Sequence, residues 1–233
     1  MRRGEHGGDW AAYQIQYHGM PLDFSANVSP MGIPAGVKRA LYQAVEEVNR
    51  YPDPLCRQLR ACLGRHHDVS SAQILCGNGA SDLIDRLVLA LRPKRGMVTA
   101  PAFSEYGQAL RRVGCQVEEF PLQRAEDFRM TARILERITP ALDILFLCEP
   151  SNPAGQTTDR ALLEKILERC DACGVLLVVD ECFEEFLLDR SHSMVSNLTG
   201  HHLLILRAFT KFYGLAGVRL GYCLCQEETL LEQ

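Results

Sequence analysis

The chain has 233 residues, of which 47% are hydrophobic, and its 25 basic and 29 acidic side chains give a formal net charge of −4. A chain of this length can bury one large hydrophobic core or two modest ones. The mild charge and the scattered basic residues argue against a nucleic-acid partner, and no apolar stretch reaches the ~18 residues that a membrane-spanning helix needs.

The beginning of the chain carries Arg2 and Arg3, but no apolar segment follows them. A secretory signal is therefore not predicted, and we expect a cytoplasmic protein. The ten cysteines are scattered along the chain, which favours free thiols in a reducing compartment. Cys170 and Cys173 have zinc-like spacing, but no histidine pair completes the pattern, so no metal site is predicted.

The first 50 residues are predicted to form an arm and a helix. Residues 23–34 are rich in loop formers, residues 37–49 have helical periodicity, and Tyr51-Pro52-Asp53-Pro54 stops the helix. A second short helix is predicted over residues 55–66. Residues 51–233 are then expected to form one larger α/β domain.

From residue 73 onwards, short apolar runs alternate with segments of helical periodicity. This alternation predicts an α/β domain with a mostly parallel sheet and helices on both faces. In such sheets, ligands bind outside the carboxyl ends of the strands. A helix that begins at residue 226 has no partner to pack on, so the sequence looks cut off before a final domain. The predicted strands are residues 73–76, 97–100, 116–120, 144–148, 175–180, 203–206 and 220–225, and the predicted helices are residues 81–91, 104–113, 159–173 and 214–216.

Lys211 follows the predicted strand at residues 203–206 and is one of only four lysines. Thr210 precedes it, and Arg219 stands eight residues further on. This set suits pyridoxal 5′-phosphate (PLP), because the amine can bond to the aldehyde of the cofactor while the hydroxyl and guanidinium hold its phosphate. The alternative is a surface lysine whose alkyl chain lies along apolar neighbours.

A glycine-rich turn, Gly77-Asn78-Gly79-Ala80-Ser81, joins the strand at 73–76 to the helix at 81–91. Glycine permits a tight turn, and the first N–H groups of the helix, around Ala80 and Ser81, can bind an anion such as the PLP phosphate. A dinucleotide fingerprint is the rival interpretation. It fails because Asp82 occupies its third glycine position, where the negative charge would repel a pyrophosphate.

Three more side chains suit the cofactor, and each has an ordinary structural alternative. Asp180 ends the most apolar strand and could pair with the ring nitrogen of PLP, or it could cap the following turn. Asn152, in a loop held by Pro150 and Pro153, could donate to the 3′-oxygen of the ring, or it could simply form a turn. Tyr106, after a strand, could stack on the planar cofactor or belong to the core.

In their order along the chain, these stretches resemble the class I and II aminotransferase family, which are PLP enzymes of fold type I. The separations of 28 residues from Asn152 to Asp180 and 31 residues from Asp180 to Lys211 are also similar to that family. The resemblance implies that Lys211 and Asp180 are catalytic. It implies a cofactor site made by Gly79, Ala80, Ser81, Tyr106, Asn152, Asp180, Thr210, Lys211 and Arg219.

Within the family, residues 49–54 resemble the branch that includes histidinol-phosphate aminotransferases and L-threonine O-3-phosphate decarboxylases. In that branch the tyrosine equivalent to Tyr51 reaches the PLP phosphate of a neighbouring subunit, which implies a homodimer. Residues 5–9 and 22–30, together with Phe183 in place of a tyrosine, favour the decarboxylases. Thr210 replaces the commoner serine and keeps the hydroxyl.

The resemblance therefore implies an enzyme that breaks a bond at the Cα atom of a small, phosphorylated amino acid. The favoured hypothesis is decarboxylation of L-threonine O-3-phosphate in cobalamin biosynthesis. Transamination of the histidinol-phosphate type is the alternative, and a PLP-binding module without turnover is a further one. The orientation of the substrate decides between the two reactions, and we expect the groups that set it to lie largely in the final domain and in the N-terminal arm.

Overall fold

In a computed structural model, which describes residues 7–200 and 202–232, the strands of the chain form one seven-stranded sheet. The strand order is β1-β7-β6-β5-β4-β2-β3. Only β7 runs antiparallel to its neighbours, so the prediction of a mostly parallel sheet is confirmed. The strands are β1 (Ile74–Gly77), β2 (Arg95–Ala100), β3 (Gln116–Pro121), β4 (Ile144–Cys148), β5 (Leu176–Asp180), β6 (Leu203–Ala208) and β7 (Gly221–Cys225).

Helices cover both faces of the sheet, as predicted. One apolar core packs α4 and α5 against one face, and a second core packs α3 and α6 against the other. Because helices cover both faces of the sheet, the central strands β4, β5 and β6 are buried along their whole length. The helices are α1 (Trp10–Tyr17), α2 (Ala35–Val45), α3 (Arg57–His67), α4 (Ala80–Leu91), α5 (Ser104–Arg112), α6 (Arg160–Cys173) and α7 (Glu228–Leu231).

The central strands end in register. Cys148 at the end of β4 lies opposite Asp180 at the end of β5, and Asp180 lies opposite Leu206 of β6. The loops that carry Asn152, the residues after Asp180, and Lys211 therefore leave the sheet at the same edge. This is the edge at which open α/β sheets bind ligands.

The structure corrects the sequence prediction at three places. The short helix at the end of the sequence does have a partner, because Leu230 and Leu231 of α7 pack against the core that contains α4 and α5. The helix predicted at residues 214–216 is wrong, because the chain turns there and Gly214 adopts a φ of 66°. Helix α1 was not predicted; the side chain of Asp9 caps it by accepting from the N–H of Ala12. The division of the chain at residue 50 stays a prediction, and residues 5 and 6 of the decarboxylase-like stretch lie outside the described residues.

All ten cysteines are free thiols, and six of them are buried. Burial raises the pKa of Cys76, Cys170 and Cys223 to about 12, so these thiols stay protonated. No helix among the described residues is long and apolar enough to cross a membrane.

Candidate active site

The turn between β1 and α4 forms a cup at the amino end of a buried helix. Gly79 is the N-cap residue of α4 and has a φ of 89°, a conformation that favours glycine. The carboxylate of Asp82 accepts a hydrogen bond of 2.9 Å from the N–H of Asn78, so its charge is turned back onto the loop. The N–H groups of the first turn, which begins at Ala80, have no partner within the helix and suit an anion.

Arg219 lies beside this cup. A Cβ atom added to Gly79 would come within 2.8 Å of Nη2 of Arg219. The other terminal nitrogen, Nη1, donates to the carbonyl of Ala216 at 3.1 Å, which fixes the guanidinium. The sequence predicted that Arg219 and the glycine-rich turn form one phosphate site although they are far apart in the sequence. The structure brings the two together.

Gly221, which was not among the predicted site residues, lets strand β7 come close to the cup. A Cβ atom on Gly221 would lie 2.9 Å from the carbonyl carbon of Gly79 and 3.0 Å from the backbone nitrogen of Ala80. Strand β7 therefore begins directly against the cup, with no room for a side chain. The sequence signal was a glycine at the start of an apolar run, which is too common to identify a site.

Asp180 is 4% exposed at the end of β5. One carboxylate oxygen accepts a 2.6 Å hydrogen bond from the hydroxyl of Tyr106, and the other accepts from the backbone N–H of Cys182 at 3.0 Å. The second contact is the capping interaction that was the structural alternative for this residue. Asp180 makes it while remaining a buried carboxylate without a cationic side chain bonded to it among the described residues.

Tyr106 belongs to the core. Its side chain is 1% exposed, and its ring stacks on that of Phe146 with centroids 5.2 Å apart. Burial, followed by the charge of Asp180, raises the pKa of its hydroxyl well above the usual value, so the group remains a donor. One ring face is covered by Phe146, and stacking of a cofactor on this residue stays a prediction.

The loop after β4 and the N-terminal arm together border a cavity. Oδ1 of Asn152 accepts a hydrogen bond of 3.3 Å from Nδ2 of Asn27 in the arm. The cavity has a volume of about 430 Å³, and Phe183 and Phe186 form its apolar side. Asn152 therefore faces an open space, which is what its predicted role requires.

Lys211, in the loop after β6, lies close to the apolar side of this cavity. Its amine is 5.6 Å from the ring centroid of Phe183, and Thr210 before it is buried. The carbonyl of Lys211 accepts a 3.0 Å hydrogen bond from the N–H of Ser29, so the arm lies directly on the lysine loop. Tyr51, by contrast, is fully exposed.

Glu149, whose backbone N–H donates to the carbonyl of Asp180 at 2.9 Å, lies beside the site and was not predicted from the sequence. It is 7% exposed at the start of the Asn152 loop, and its carboxylate accepts hydrogen bonds from both the backbone N–H and the hydroxyl of Thr158. Burial raises its pKa to about 7. A glutamate between an apolar strand and a proline was the available signal, but nothing in the sequence indicated that the side chain folds inward.

The groups at this edge fit PLP in their chemistry. A helix N-terminus and a guanidinium meet at Gly79, where the absence of a side chain lets Arg219 come close to the first turn of α4, so both can contact a phosphate. Asp180 is a desolvated carboxylate that suits a protonated ring nitrogen, and Lys211 supplies an amine.

The fold and these residues define a PLP-binding α/β protein. The model of the family described as aminotransferase class I and II matches residues 20–233, and the chain belongs to this family, whose cofactor is PLP. It is 40% identical over 210 residues to a threonine-phosphate decarboxylase of Salmonella typhimurium, and the match covers 90% of this chain and 58% of that protein.

Two further comparisons agree. A histidinol-phosphate aminotransferase of Bacillus velezensis is 32% identical over 216 residues, which cover 91% of this chain and 59% of the relative. The crystal structure of the histidinol-phosphate aminotransferase from Clostridium acetobutylicum superimposes with a TM-score of 0.82 at 25% identity, over 89% of this chain and 61% of that one. The chain thus spans about three fifths of the length of these relatives.

Proposed function

We propose that this chain binds PLP through Lys211 and belongs to an enzyme that decarboxylates a phosphorylated amino acid. The favoured substrate is L-threonine O-3-phosphate. One observation carries the cofactor site: Arg219 lies against Gly79 at the N-terminus of α4, at the sheet edge from which Asp180 and Lys211 also emerge. Similarity to a threonine-phosphate decarboxylase supports the reaction and links it to cobalamin biosynthesis.

Each residue of the proposed site would have a distinct role in holding the cofactor. Arg219, Thr210 and the N–H groups of Ala80 and Ser81 would hold the phosphate, with Gly79 leaving room for the Arg219 guanidinium. Asp180 would keep the ring nitrogen protonated, and Asn152 would donate to the 3′-oxygen. When bound, PLP supplies an electron sink for the negative charge that develops at Cα.

Lys211 would hold the cofactor and then move a proton at the Cα atom of the substrate. The bond that breaks is the one held perpendicular to the ring plane: loss of the carboxylate gives carbon dioxide, and loss of the hydrogen leads to transamination. Phe183 supports the first outcome, since it places an apolar ring, without a hydroxyl, beside the Lys211 amine. Similarity to histidinol-phosphate aminotransferases supports the second.

The cofactor experiment is to incubate the protein with PLP, reduce it with borohydride and map the labelled peptide. We expect the pyridoxyl label on Lys211, while Lys38, Lys94 and Lys165 serve as internal controls. The K211R variant should take no label at this position. A folded protein that leaves Lys211 unlabelled would contradict the proposal.

The reaction is then decided by paired assays. Carbon dioxide release from L-threonine O-3-phosphate supports the decarboxylase, and amino transfer from histidinol phosphate supports the alternative. Replacing Asp180 by alanine should lower the rate by about 10²–10³, the size expected when one preorganised electrostatic group is removed. Labelling without turnover of either substrate would favour a PLP-binding module.

We further propose a cytoplasmic homodimer in which Tyr51 reaches the phosphate site of the partner. The full exposure of Tyr51 supports this, because the ring is free to contact another chain. Subunit mixing tests it: Y51F and K211A should each be weak alone, and mixing them should restore part of the activity if each site takes residues from two chains. Purely additive activities would contradict a shared site.

A further inference from the structure

Behind the candidate site lies a buried charge cluster centred on Arg207, which we call the Arg207 cluster. Arg207 is on β6, four residues before Lys211, and its side chain is 5% exposed. Its guanidinium donates at 2.6 Å to Glu181, at 2.8 Å to Glu184 and at 3.2 Å to Glu185. The fifth member of the cluster is Ser193, whose hydroxyl oxygen accepts at 3.0 Å.

The cluster joins the two strand ends that carry the predicted catalytic residues. Glu181 directly follows Asp180, and its N–H donates to the carbonyl of Leu206 on β6 at 2.9 Å. The carboxylate of Glu181 then reaches across to Arg207 on the same strand β6. A backbone bond and an ion pair thus fix the end of β5 to the strand that leads into Lys211.

The same carboxylate also fixes the segment that follows. Glu181 accepts from the hydroxyl of Ser193 at 2.9 Å and from the backbone N–H of Met194 at 2.6 Å. Glu184 and Glu185 belong to the turn between Phe183 and Phe186, the two rings on the apolar side of the cavity. The position of that wall relative to Lys211 therefore depends on Arg207.

Stability alone does not explain such a cluster. Three carboxylates surround one guanidinium in the interior, and one oxygen each of Glu184 and Glu185 has no hydrogen-bond partner among the described residues. Buried ion pairs often contribute no more to stability than apolar side chains of similar volume. What fixed charges with several partners do provide is geometry, and a catalytic site needs its groups held to within a fraction of an ångström.

We propose that Arg207 is a positioning residue: it sets the placement of the Lys211 amine relative to Asp180 and to the Phe183–Phe186 wall. This inference rests on the proposed PLP function, because the position of Lys211 matters only if a cofactor bonds there. Arg207 itself touches none of the predicted cofactor-binding side chains in the hydrogen bonds and ion pairs of the described residues.

The test compares R207K with R160K. Lysine keeps the charge of Arg207 but cannot contact several acceptors as a planar fork does. Arg160 on α6 is a matched control, because its guanidinium also binds the segment that contains Ser193 but makes no bond to β5 or β6. The readout is the rate at which PLP and borohydride label Lys211, relative to the other three lysines, in protein with unchanged circular dichroism.

We expect R207K to label Lys211 about tenfold to a hundredfold more slowly, the loss that small misplacements of reacting groups produce. R160K should stay within about twofold of the unmodified protein. Equal rates in R207K and the unmodified protein, or an equally large loss in R160K, would overturn the positioning role while leaving the PLP proposal intact. An unmodified protein that takes no label on Lys211 would overturn both.

A milder variant covers the case in which R207K does not fold. S193A removes one hydroxyl that contacts both Arg207 and Glu181 and leaves every charge in place. We expect the labelling of Lys211 to slow by roughly threefold to tenfold, the equivalent of one lost hydrogen bond to a positioning group. An unchanged labelling rate in folded S193A would count against the proposal.

Discussion

The hydroxyl of Tyr106 donates a 2.6 Å hydrogen bond to Oδ2 of Asp180, 74 positions away in the sequence. Tyr106 is on helix α5, which covers one face of the sheet, and Asp180 ends the central strand β5. Both side chains are buried. The bond therefore holds the carboxylate in one direction at a point where water cannot take the place of a lost donor.

Replacing Tyr106 by phenylalanine should destabilise the protein by about 1.5–3 kcal/mol, because a buried carboxylate loses a charge-assisted hydrogen bond. Urea unfolding of the cofactor-free protein measures the change. The control is Y42F, at a position where the ring is mostly exposed. An unfolding midpoint that is the same in Y106F, Y42F and the unmodified protein would show that the bond contributes nothing.

Replacing Gly79 by alanine should weaken PLP binding at least tenfold. The added Cβ would lie 2.8 Å from Arg219, and alanine at a φ of 89° is strained by roughly 1 kcal/mol or more. A spectrophotometric titration with PLP measures the affinity. G36A, in the exposed face of α2 with nothing within 4 Å of the new atom, should bind PLP normally; tight binding by G79A would mean that the cup is not the phosphate site.

The stability of the protein should fall as the pH rises through the range set by Glu149. Its pKa is raised from 4.5 to about 7 by burial, so between these values the unfolded chain releases a proton that the native state retains. Stability contributed by the neutral carboxyl is thus complete below about pH 4.5 and lost above about pH 7.

The variant E149Q isolates this effect, since glutamine keeps a hydrogen-bonding partner for Thr158 and does not titrate. Relative to the unmodified protein, it should gain about 3 kcal/mol of unfolding free energy between about pH 4 and about pH 8. Urea unfolding across that range measures the difference. E136Q, on the exposed surface, should gain nothing; a pH-independent difference for E149Q would contradict the buried ionisation.

Lowering the pH should destabilise the protein through protonation of His67. Its Nε2 atom is 2.8 Å from the hydroxyl of Tyr222, and burial, together with the charge of Arg207, lowers its pKa to about 4. As the pH falls below about 6.5 the unfolded chain binds a proton that the native state resists, so stability declines until about pH 4. H67Q should lose less stability over this interval than the unmodified protein or the exposed control H18Q, as followed by thermal unfolding; identical declines would exclude His67.

Much of the fold follows from local sequence pattern. The uninterrupted apolar run that ends in Asp180 predicted β5 to within one residue, because a strand buried on both faces has no polar alternation. Residues 214–216 have too few positions to distinguish a helical turn from other turns, and there the prediction was wrong. Helix α1 has no buried residue, so no amphipathic pattern marked it.

The sequence was enough to propose which residues carry the chemistry of the candidate site. It was not enough to predict the contacts that hold those residues in place. Lys211, Asp180 and Arg219 stand at strand ends or in turns where a charged residue is conspicuous. The partners that fix them come from distant segments: Tyr106 for Asp180, Ser29 for the Lys211 loop, and Gly221 for the cup. No local pattern encodes such pairs, because they depend on how the sheet is assembled.

Strand β1 has a single neighbour among the described strands, β7. Ile74 of β1 pairs with Leu224 of β7, which is far from it in the sequence. During synthesis, β1 leaves the ribosome early but must wait for β7 before its backbone can be hydrogen-bonded. Pairing across so long a loop is slow. The cup at Gly79 is therefore expected to be among the last parts of this fold to become ordered, so a nascent chain would bind the cofactor only after nearly all of these residues have emerged.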